Sequence, residues 1–425
     1  MASFFIPLTG LEADSTALNT IANDLANMNT TAFKGQAVNF SDLFYQQIGS
    51  AGSGDPIQVG AGVQVASIET AFGQGSINST GNSTDVSLNG SGFFVVNHGG
   101  VNEFTRAGNF SLDSTGNLFT SNGLSVMGYP AAGGVVNTNS PLAPINIPVG
   151  QVQQPQATST LNMISNLDAT SAASTTFPSQ ITVYDSLGVS HIATVTYTQT
   201  GINTWSYSTA LPAADFTGGV SVPVTGTLNF NSSGNLVTVT PTGGVATPVG
   251  TGAGNISAIP LAFTGLADGA ANLNMNWNLL GPGGTPTIGQ VAAASAVSTT
   301  TQSGYPSGEY QSFSIAGGGT VTATYSNGQQ QAVGQLALAN VANLQGLQFL
   351  GNGDYATTLA SGNASIGVSG TTGLGTLQDG ALEESNVNIS AEFSDLIIVQ
   401  RAFEANSKTV TTFDTVTQET INMIH

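Results

Sequence analysis

The sequence has no cysteine and only four Lys or Arg side chains, Lys34, Arg106, Arg401 and Lys408. Without cysteine, neither a disulfide nor a thiolate metal site can form. Binding to a phosphate backbone needs clustered cations. The four cations here are scattered among 23 acidic residues, and the net charge is −19. We therefore predict no nucleic-acid partner and no electrostatic attachment to anionic lipid.

Long apolar runs and a basic N-terminal segment are missing as well. The uncharged stretches 114–167 and 216–267 are rich in Gly, Pro, Thr and Asn. Neither contains the roughly 18 continuous apolar residues of a membrane span. Because no cation precedes Lys34, we do not expect a cleaved secretory signal peptide. Charged residues make up 6% of the chain and hydrophobic residues 40%, a balance that favours folding over disorder.

The sequence shows no arrangement of side chains typical of catalysis. The histidines, His98, His191 and His425, lack the spacing of metal ligands. No P-loop and no G-x-S-x-G motif is present. His191 falls in a predicted strand, where we expect a cross-strand surface residue. The adjacent Glu383 and Glu384 are typical of a solvated segment leading into a helix. The pattern predicts no enzyme, no metal site and no cofactor.

Apolar residues with heptad spacing occur at both ends of the chain. Near the N-terminus they run from Pro7 to about Met28, and proline is tolerated only near a helix start. The segment 389–424 has a similar alternation, diluted by polar residues, with Ser390 as a predicted N-cap. We predict that two terminal helices pair as a coiled coil. The predicted seam consists of Leu11, Leu18, Ile21, Leu25, Met28, Phe393, Leu396, Phe403, Val410, Ile421 and Ile424.

The N-terminal helix is rich in asparagine, which competes with the helical backbone for hydrogen bonds. The pattern leaves two interpretations open. The helices could form a hairpin that closes a monomer, or an interface for assembly with other subunits. A weak helix depends on burial against partners, and a pair of helices buries only one stripe of each. We therefore favour assembly with other subunits.

The middle of the chain has the pattern of β-structure. Runs such as "GFFVVN" and "QITVYDSLGVSHIATVTYTQ" are β-branched and aromatic, and turn residues bound them. The segments "NFSLDSTGNLFT" (109–120) and "NFNSSGNLVT" (229–238) predict two hairpins with the same turn chemistry. Linkers rich in Pro, Gly, Ser and Thr near 140–175 and 281–308 indicate that one domain is inserted into another.

The predicted fold is mainly β with terminal α-helices, in a nested multidomain chain with two β-rich domains in the middle. The predicted divisions are 1–30 with 382–425 as a helical core domain, 31–72 with 362–381 as connecting segments, 73–150 with 305–361 as an inner β domain, and 151–304 as an inserted outer β domain.

Several segments resemble the rod and hook proteins of the bacterial flagellar axial family. The ends, "TGLEADSTALNTIANDLANMNTTAFK" (9–34) and "GALEESNVNISAEFSDLIIVQRAFEANSKTVTTFDTVTQETINMI" (380–424), are similar in both kinds of protein. The segments "FPSQITVYDSLGVSHIATVTYTQTGINTW" (177–205) and "YSNGQQQAVGQLALANVANLQGLQFLGNGDYATT" (325–358) resemble hook proteins in particular. One departure is Ala32, where the family usually has glycine.

The resemblance implies a structural subunit that polymerises into a curved, flexible tube. Such a tube transmits torque from the motor rod to the filament, and its paired terminal helices line an export channel. The alternative is a distal rod protein, which is straight and stiff and usually lacks the middle insertion. The implied partners are other copies of the chain, flagellar rod proteins, the hook–filament junction protein, the hook cap during assembly and the flagellar type III export apparatus. The implied location is the flagellum outside the cell.

Overall fold

The structure, a computed structural model, describes residues 5–50, 52, 56–371 and 373–424. It is mostly β-structure with a helix near each end, α1 (Phe5–Ala26) and α2 (Ile389–Ile424). The two helices pack against each other. The predicted fold class, mainly β with paired terminal helices, is confirmed.

The chain forms two compact units. The terminal unit comprises the described residues within 1–149, 312–324 and 330–425, and the inserted unit comprises 150–311 and 325–329. Both helices belong to the terminal unit. Its strands before the first crossing are β1 (Gln36–Asp42), β2 (Tyr45–Ser50), β3 (Pro56–Gly60), β4 (Val63–Thr70), β5 (Ile77–Ser79), β6 (Val86–Asn89), β7 (Phe93–His98), β8 (Val101–Thr105), β9 (Ser111–Leu112), β10 (Leu118–Phe119), β11 (Ser125–Ala132), β12 (Val135–Val136) and β13 (Ala143–Pro144).

The inserted unit holds two sheets. Its strands are β14 (Val152–Gln153), β15 (Thr160–Asp168), β16 (Thr176–Tyr184), β17 (Ser190–Gly201), β18 (Thr204–Ala210), β19 (Val224–Phe230), β20 (Leu236–Pro241), β21 (Thr247–Pro248), β22 (Ala258–Phe263), β23 (Leu273–Asn278), β24 (Ile288–Val291) and β25 (Ala296–Gln302). One sheet has the order β16–β17–β18–β19–β20–β21, and the other has β22–β23–β15–β24 with β25 also paired to β15.

Side chains from both sheets fill one core in the inserted unit. The strands alternate buried and exposed residues, as in β17, which is the pattern of a sheet with one covered face. Trp205, Trp277, Tyr197 and Tyr207 are fully buried. The rings of Tyr207 and Trp277 meet edge to face, with centroids 5.7 Å apart. Both tryptophans of the chain therefore lie in the core of the inserted unit.

The remaining strands lie in sequence after the inserted segment. They are β26 (Gly308–Ile315), β27 (Thr320–Tyr325), β28 (Gln330–Leu336), β29 (Leu338–Asn340), β30 (Gln348–Gly351), β31 (Asp354–Ala356), β32 (Ser365–Gly367), β33 (Thr376–Asp379) and β34 (Ala381–Glu383). In the terminal unit, β7 pairs with β8, β11 and β29, and β31 pairs with β8. The core beside these strands includes Phe93, Phe104 and Tyr355.

Strands from the two ends of the chain pair with each other. β5 pairs with β34, and β6 pairs with β33, both antiparallel. Five residues, 384–388, separate the start of α2 from a strand that is hydrogen-bonded to the N-terminal half of the chain. The pairing of β34 with β5 therefore holds the start of α2 close to the N-terminal half of the terminal unit.

The two predicted hairpins are confirmed. β9 pairs with β10, and β19 pairs with β20. The first residue of each turn accepts two hydrogen bonds through Oδ1, from the backbone N–H groups two and four residues later. Both bonds are 2.8 Å long at Asp113 and 3.0 Å long at Asn231. Gly116 (φ 88°) and Gly234 (φ 77°) supply the left-handed residue that such a turn requires. The repeated sequence is thus repeated turn chemistry.

The prediction that His191 lies on the surface is wrong. Its side chain is only 5% exposed. Nδ1 lies 2.9 Å from Oδ2 of Asp215, and Nε2 lies 3.1 Å from Oδ2 of Asp185. Burial alone would lower the pKa of His191, but the hydrogen bonds to Asp185 and Asp215 and the charges of these two carboxylates outweigh burial, and the pKa lies above its usual value of 6.5. The inserted unit contains no Lys or Arg, so His191 in its protonated form supplies the positive charge beside Asp185 and Asp215.

Candidate assembly surface

The two terminal helices run antiparallel. Near the start of α1, Gly10 lies against Asn406, because a methyl group at Gly10 would be 2.6 Å from Nδ2 of Asn406. The same Nδ2 donates a hydrogen bond of 2.9 Å to Oδ2 of Asp14. Further along α1, Ile21 lines a groove together with Val399. Residue numbers therefore rise along α1 as they fall along the facing part of α2.

The buried stripe of α1 consists mainly of small residues. Its members are Pro7, Gly10, Ala13, Ala17, Thr20, Ile21 and Asp24. Small side chains let the backbone of α1 approach its neighbours closely, since the distance between packed helices depends on the side chains at the contact. Of the predicted seam residues, Ile21 is buried in this stripe. Leu11, Leu18 and Leu25 lie beside it and are half-buried.

Met28 is not in a helix. The structure ends α1 at Ala26 and places Met28 in a turn with 40% of its surface exposed. Nδ2 of Asn27 donates to the backbone oxygen of Asn23 at 2.9 Å. An asparagine that bonds the backbone in this way competes with the helix. This competition explains why the helix ends two residues before the expected boundary.

The predicted seam residues of α2 divide into two sets. Leu396 and Val410 are half-buried. Phe393 (53% exposed), Phe403 and Ile421 are exposed. The side chain of Ile424 lies outside the described residues. Part of the predicted α2 seam is thus half-buried, and the other part is exposed in the single chain.

Further apolar surface on α2 is uncovered in the single chain. Ile397 and Ile398 are exposed next to Phe393 along the helix. Residues 414–423 are exposed throughout and include Val416 and Met423. Several exposed apolar side chains on one helix are typical of a protein–protein contact.

A buried ion cluster joins the two ends of the terminal unit. Oε1 of Glu383 lies 2.6 Å from Nζ of Lys34, and its Oε2 lies 3.0 Å from Nε of Arg106. The backbone N–H of Gly75 also donates to Oε1 at 2.9 Å. The side chains of Lys34, Arg106 and Glu383 are at most 6% exposed. Burial lowers the pKa of Lys34, while its hydrogen bond to Glu383 and the charge of that carboxylate act in the opposite direction.

This cluster corrects one expectation from the sequence. Glu383 is not solvated, whereas its neighbour Glu384 is exposed. Glu383 lies in β34, whose residues alternate between a buried and an outward side. We call the group of Lys34, Arg106 and Glu383 the ion clasp. The ion clasp contains two of the four cations of the chain. It joins the segment after α1, which holds Lys34, to the segment before α2, which holds Glu383.

Ala32 lies next to the ion clasp in a strained conformation. Its φ is 54°, in the left-handed region that costs a residue with a Cβ about 1–2 kcal/mol. Its backbone N–H donates to the oxygen of Glu383 at 2.8 Å. The glycine usual in the family at this position would adopt the same conformation without that cost.

A groove of about 250 Å³ lies between α1, α2 and β1. Ile21 and Ile398 contribute apolar surface to it, and Glu392 and Asp395 contribute carboxylates. We call it the acidic groove. Burial raises the pKa of Glu392, and so do the charges of Asp24 and Asp395. The described residues that line the groove include no Lys or Arg.

Three side chains of the inserted unit could together offer ligand atoms to a metal ion. The ligand atoms of Asp185, His191 and Asp268 lie within 4.8 Å of one another. Hydrogen bonds within the chain already engage His191 and Asp185.

Among the described helices, none has the length and apolar character needed to cross a membrane.

Four family models match the chain. They are the flagella basal body rod protein (residues 8–34), the flagellar hook protein FlgE/F/G D1 domain (87–165), the flagellar basal body protein FlaE D2 domain (151–305) and the flagellar basal body rod FlgEFG protein C-terminal region (378–423). The matched regions include most of both terminal helices and most of the inserted unit.

Curated relatives are similar over the full length of the chain. The flagellar hook protein FlgE of Treponema pallidum is 36% identical, with 100% of this chain and 99% of that protein covered. The flagellar hook protein FlgE of Escherichia coli K12 is 34% identical, with 99% and 100% covered. Because these relatives are named as hook proteins, the rod alternative is not favoured.

A solved structure shares the fold. The crystal structure of Helicobacter pylori flagellar hook protein FlgE2 aligns with a TM-score of 0.54 and 14% identity, covering 72% of this chain and 100% of that chain.

Proposed function

Since the chain belongs to the flagellar hook protein family and is a structural subunit of the bacterial flagellar hook, we propose that copies assemble through the surfaces of α1 and α2. The observation that supports this is the uncovered apolar surface of α2, where Phe393, Ile397 and Ile398 are exposed in the single chain. Covering an exposed Phe and two exposed Ile with another surface would remove apolar area from water and so stabilise the contact.

In this proposal the predicted seam has two roles. Ile21, Leu396 and Val410, with the flanking Leu11, Leu18 and Leu25, hold α1 and α2 together within the subunit. Phe393, Phe403 and Ile421 face neighbouring copies, and Ile424 is assigned to the same surface. Met28 is left to the turn after α1.

We assign a role to each domain from the same family membership and the proposed assembly through α1 and α2. The helical core domain, 1–30 with 382–425, lines the channel, and 31–72 with 362–381 connect it to the β domains. The inner β domain, 73–150 with 305–361, surrounds the core. The outer β domain, 151–304, contributes the contacts that change as the tube bends. The tube is curved and flexible and passes torque from the rod to the filament.

The proposed partners follow from this role. They are other copies of the chain, flagellar rod proteins at one end, the hook–filament junction protein at the other, the hook cap during assembly and the type III export apparatus before it. The proposed location is the flagellum outside the cell, reached without a cleaved signal peptide. The proposed role is structural, without an enzymatic activity or a cofactor.

The test is a pair of substitutions on the exposed face of α2. Phe393→Asp places a charge in the proposed interface, and Ser394→Asp places the same charge at the next exposed position. We expect Phe393→Asp to abolish sedimentable tubes while the circular dichroism of the monomer stays unchanged, because Phe393 is exposed in the single chain. Ser394→Asp should still form tubes. Tubes from Phe393→Asp at the wild-type critical concentration would contradict the proposal.

A further inference from the structure

The acidic groove has a negative charge that no ion pair balances among the described residues. Glu392 and Asp395 line it, and Asp24 lies beside it, accepting a 2.7 Å hydrogen bond from the backbone N–H of the lining residue Gln36. Asp24 is fully buried, and its Oδ1 has no hydrogen-bond partner among the described residues. A buried carboxylate oxygen without a partner is costly. The two carboxylates that line the groove, Glu392 and Asp395, suit a cationic group with several N–H donors.

The two cations outside the ion clasp lie on a different side of α2. Arg401 and Lys408 are exposed, and neither forms an ion pair within the described part of the chain. At about 100° per residue, Arg401 points about 120° away from Asp395 around the helix, and Lys408 about 140°. Within the described part of the chain, neither side chain pairs with Glu392 or Asp395 of its own acidic groove. A second copy can bring them together.

The surroundings of the two cations differ. Arg401 is one helical turn from Ile397 and Ile398, which are both exposed. Lys408 is one turn from Glu404 and Thr412, which are polar. Arg is enriched at the apolar centre of interfaces and Lys is depleted there. The guanidinium also presents five donors in a planar fork that suits paired carboxylates.

We propose that Arg401 of one copy inserts into the acidic groove of a neighbouring copy, where it pairs with Glu392 and Asp395. The contact joins two different surfaces of the subunit. A heterologous contact of this kind generates an open helical polymer when its rotation does not close. The inference rests on the proposed assembly through α1 and α2, and it names the pair of surfaces that meet.

The test compares two charge reversals with the same effect on net charge. Arg401→Glu should raise the critical concentration for tube formation about tenfold or more, because it places like charges opposite each other. Lys408→Glu is the matched control and should change it much less. The double variant Arg401→Glu with Asp395→Arg exchanges the two charges of the proposed pair. It should bring the critical concentration most of the way back to the wild-type value. Circular dichroism of each monomer checks that the helices remain folded.

The possible outcomes separate this inference from the proposed function. If the wild-type chain forms no tubes, or if Phe393→Asp does not affect them, assembly through the helices is wrong. If the wild-type chain forms tubes and Arg401→Glu forms them equally well, the Arg401 contact is wrong. Equal losses from Arg401→Glu and Lys408→Glu would assign the effect to net charge. A specific loss without recovery by Asp395→Arg would overturn the acidic groove as the acceptor.

Discussion

Removing the charge of Glu383 should destabilise the terminal unit strongly. Glu383→Gln keeps the size of the side chain but leaves Lys34 and Arg106 without their shared carboxylate. The side chains of both cations are almost fully buried, and their remaining hydrogen-bond partners are backbone carbonyl oxygens, such as that of Gly73 for Lys34 and those of Gly90 and Gly92 for Arg106. Breaking a buried ion pair by removing one partner costs about 3–5 kcal/mol. For a unit of this size we expect the melting temperature to fall by about 6–20 °C.

The chain offers a matched control and two separate reporters. Glu384→Gln makes the same chemical change at the next residue, which is exposed, and should cost less than about 0.5 kcal/mol. Both helices lie in the terminal unit, and both tryptophans lie in the inserted unit. Helical circular dichroism therefore follows the first unit during urea unfolding, and tryptophan fluorescence follows the second.

We expect Glu383→Gln to shift the helical transition to lower urea concentration and to leave the fluorescence transition in place. A loss below about 1 kcal/mol would refute the reasoning, because it would mean that the two buried cations do not depend on the charge of Glu383. Equal shifts from Glu383→Gln and Glu384→Gln would do the same, since only one of these carboxylates is buried.

Two further predictions use the same reporters. Ala32→Gly should stabilise the terminal unit by about 1 kcal/mol, because glycine adopts the φ of 54° at Ala32 without strain; a lower melting temperature of the helical signal would contradict this. The raised pKa of His191 means that its stabilising contribution is complete below the ordinary value of about 6.5 and disappears as pH rises through the folded value. Urea unfolding followed by tryptophan fluorescence should therefore show the inserted unit losing stability as the pH rises above about 6.5, and His191→Gln should remove that dependence. A wild-type stability that rises with pH over the same range would contradict the role of the imidazolium.

The features that the sequence predicted well are those with local signals. The terminal helices have a 3.6-residue or heptad pattern, and the hairpins at Asp113 and Asn231 have a turn chemistry that can be recognised within a few residues. The burial of His191 was predicted wrongly although it had a local signal too. His191 lies in phase with Ala193, Val195 and Tyr197, which are all buried in the core of the inserted unit. The two-residue period of a strand therefore predicts that His191 points inward as well.

Other features of the site have no local signal. The ion clasp joins Lys34 to Glu383, which are 349 residues apart, and nothing near either residue selects this pair among 23 acidic side chains. The contact face of α1 was also hard to predict. Leucine spacing favoured Leu11, Leu18 and Leu25, whereas close packing against α2, β1 and β4 buries the small residues beside them. Helix packing rewards fit as well as hydrophobicity.

The most direct test of assembly through the terminal helices is a cryo-electron microscopy map of the tube formed by the purified chain. We expect α1 and α2 to lie at its inner wall, with Phe393 and Ile397 covered by a neighbouring subunit and Arg401 within 4 Å of a carboxylate of the acidic groove, as in an ion pair of about that length. A tube in which the exposed face of α2 points into solvent, with subunits joined through their β domains alone, would contradict it.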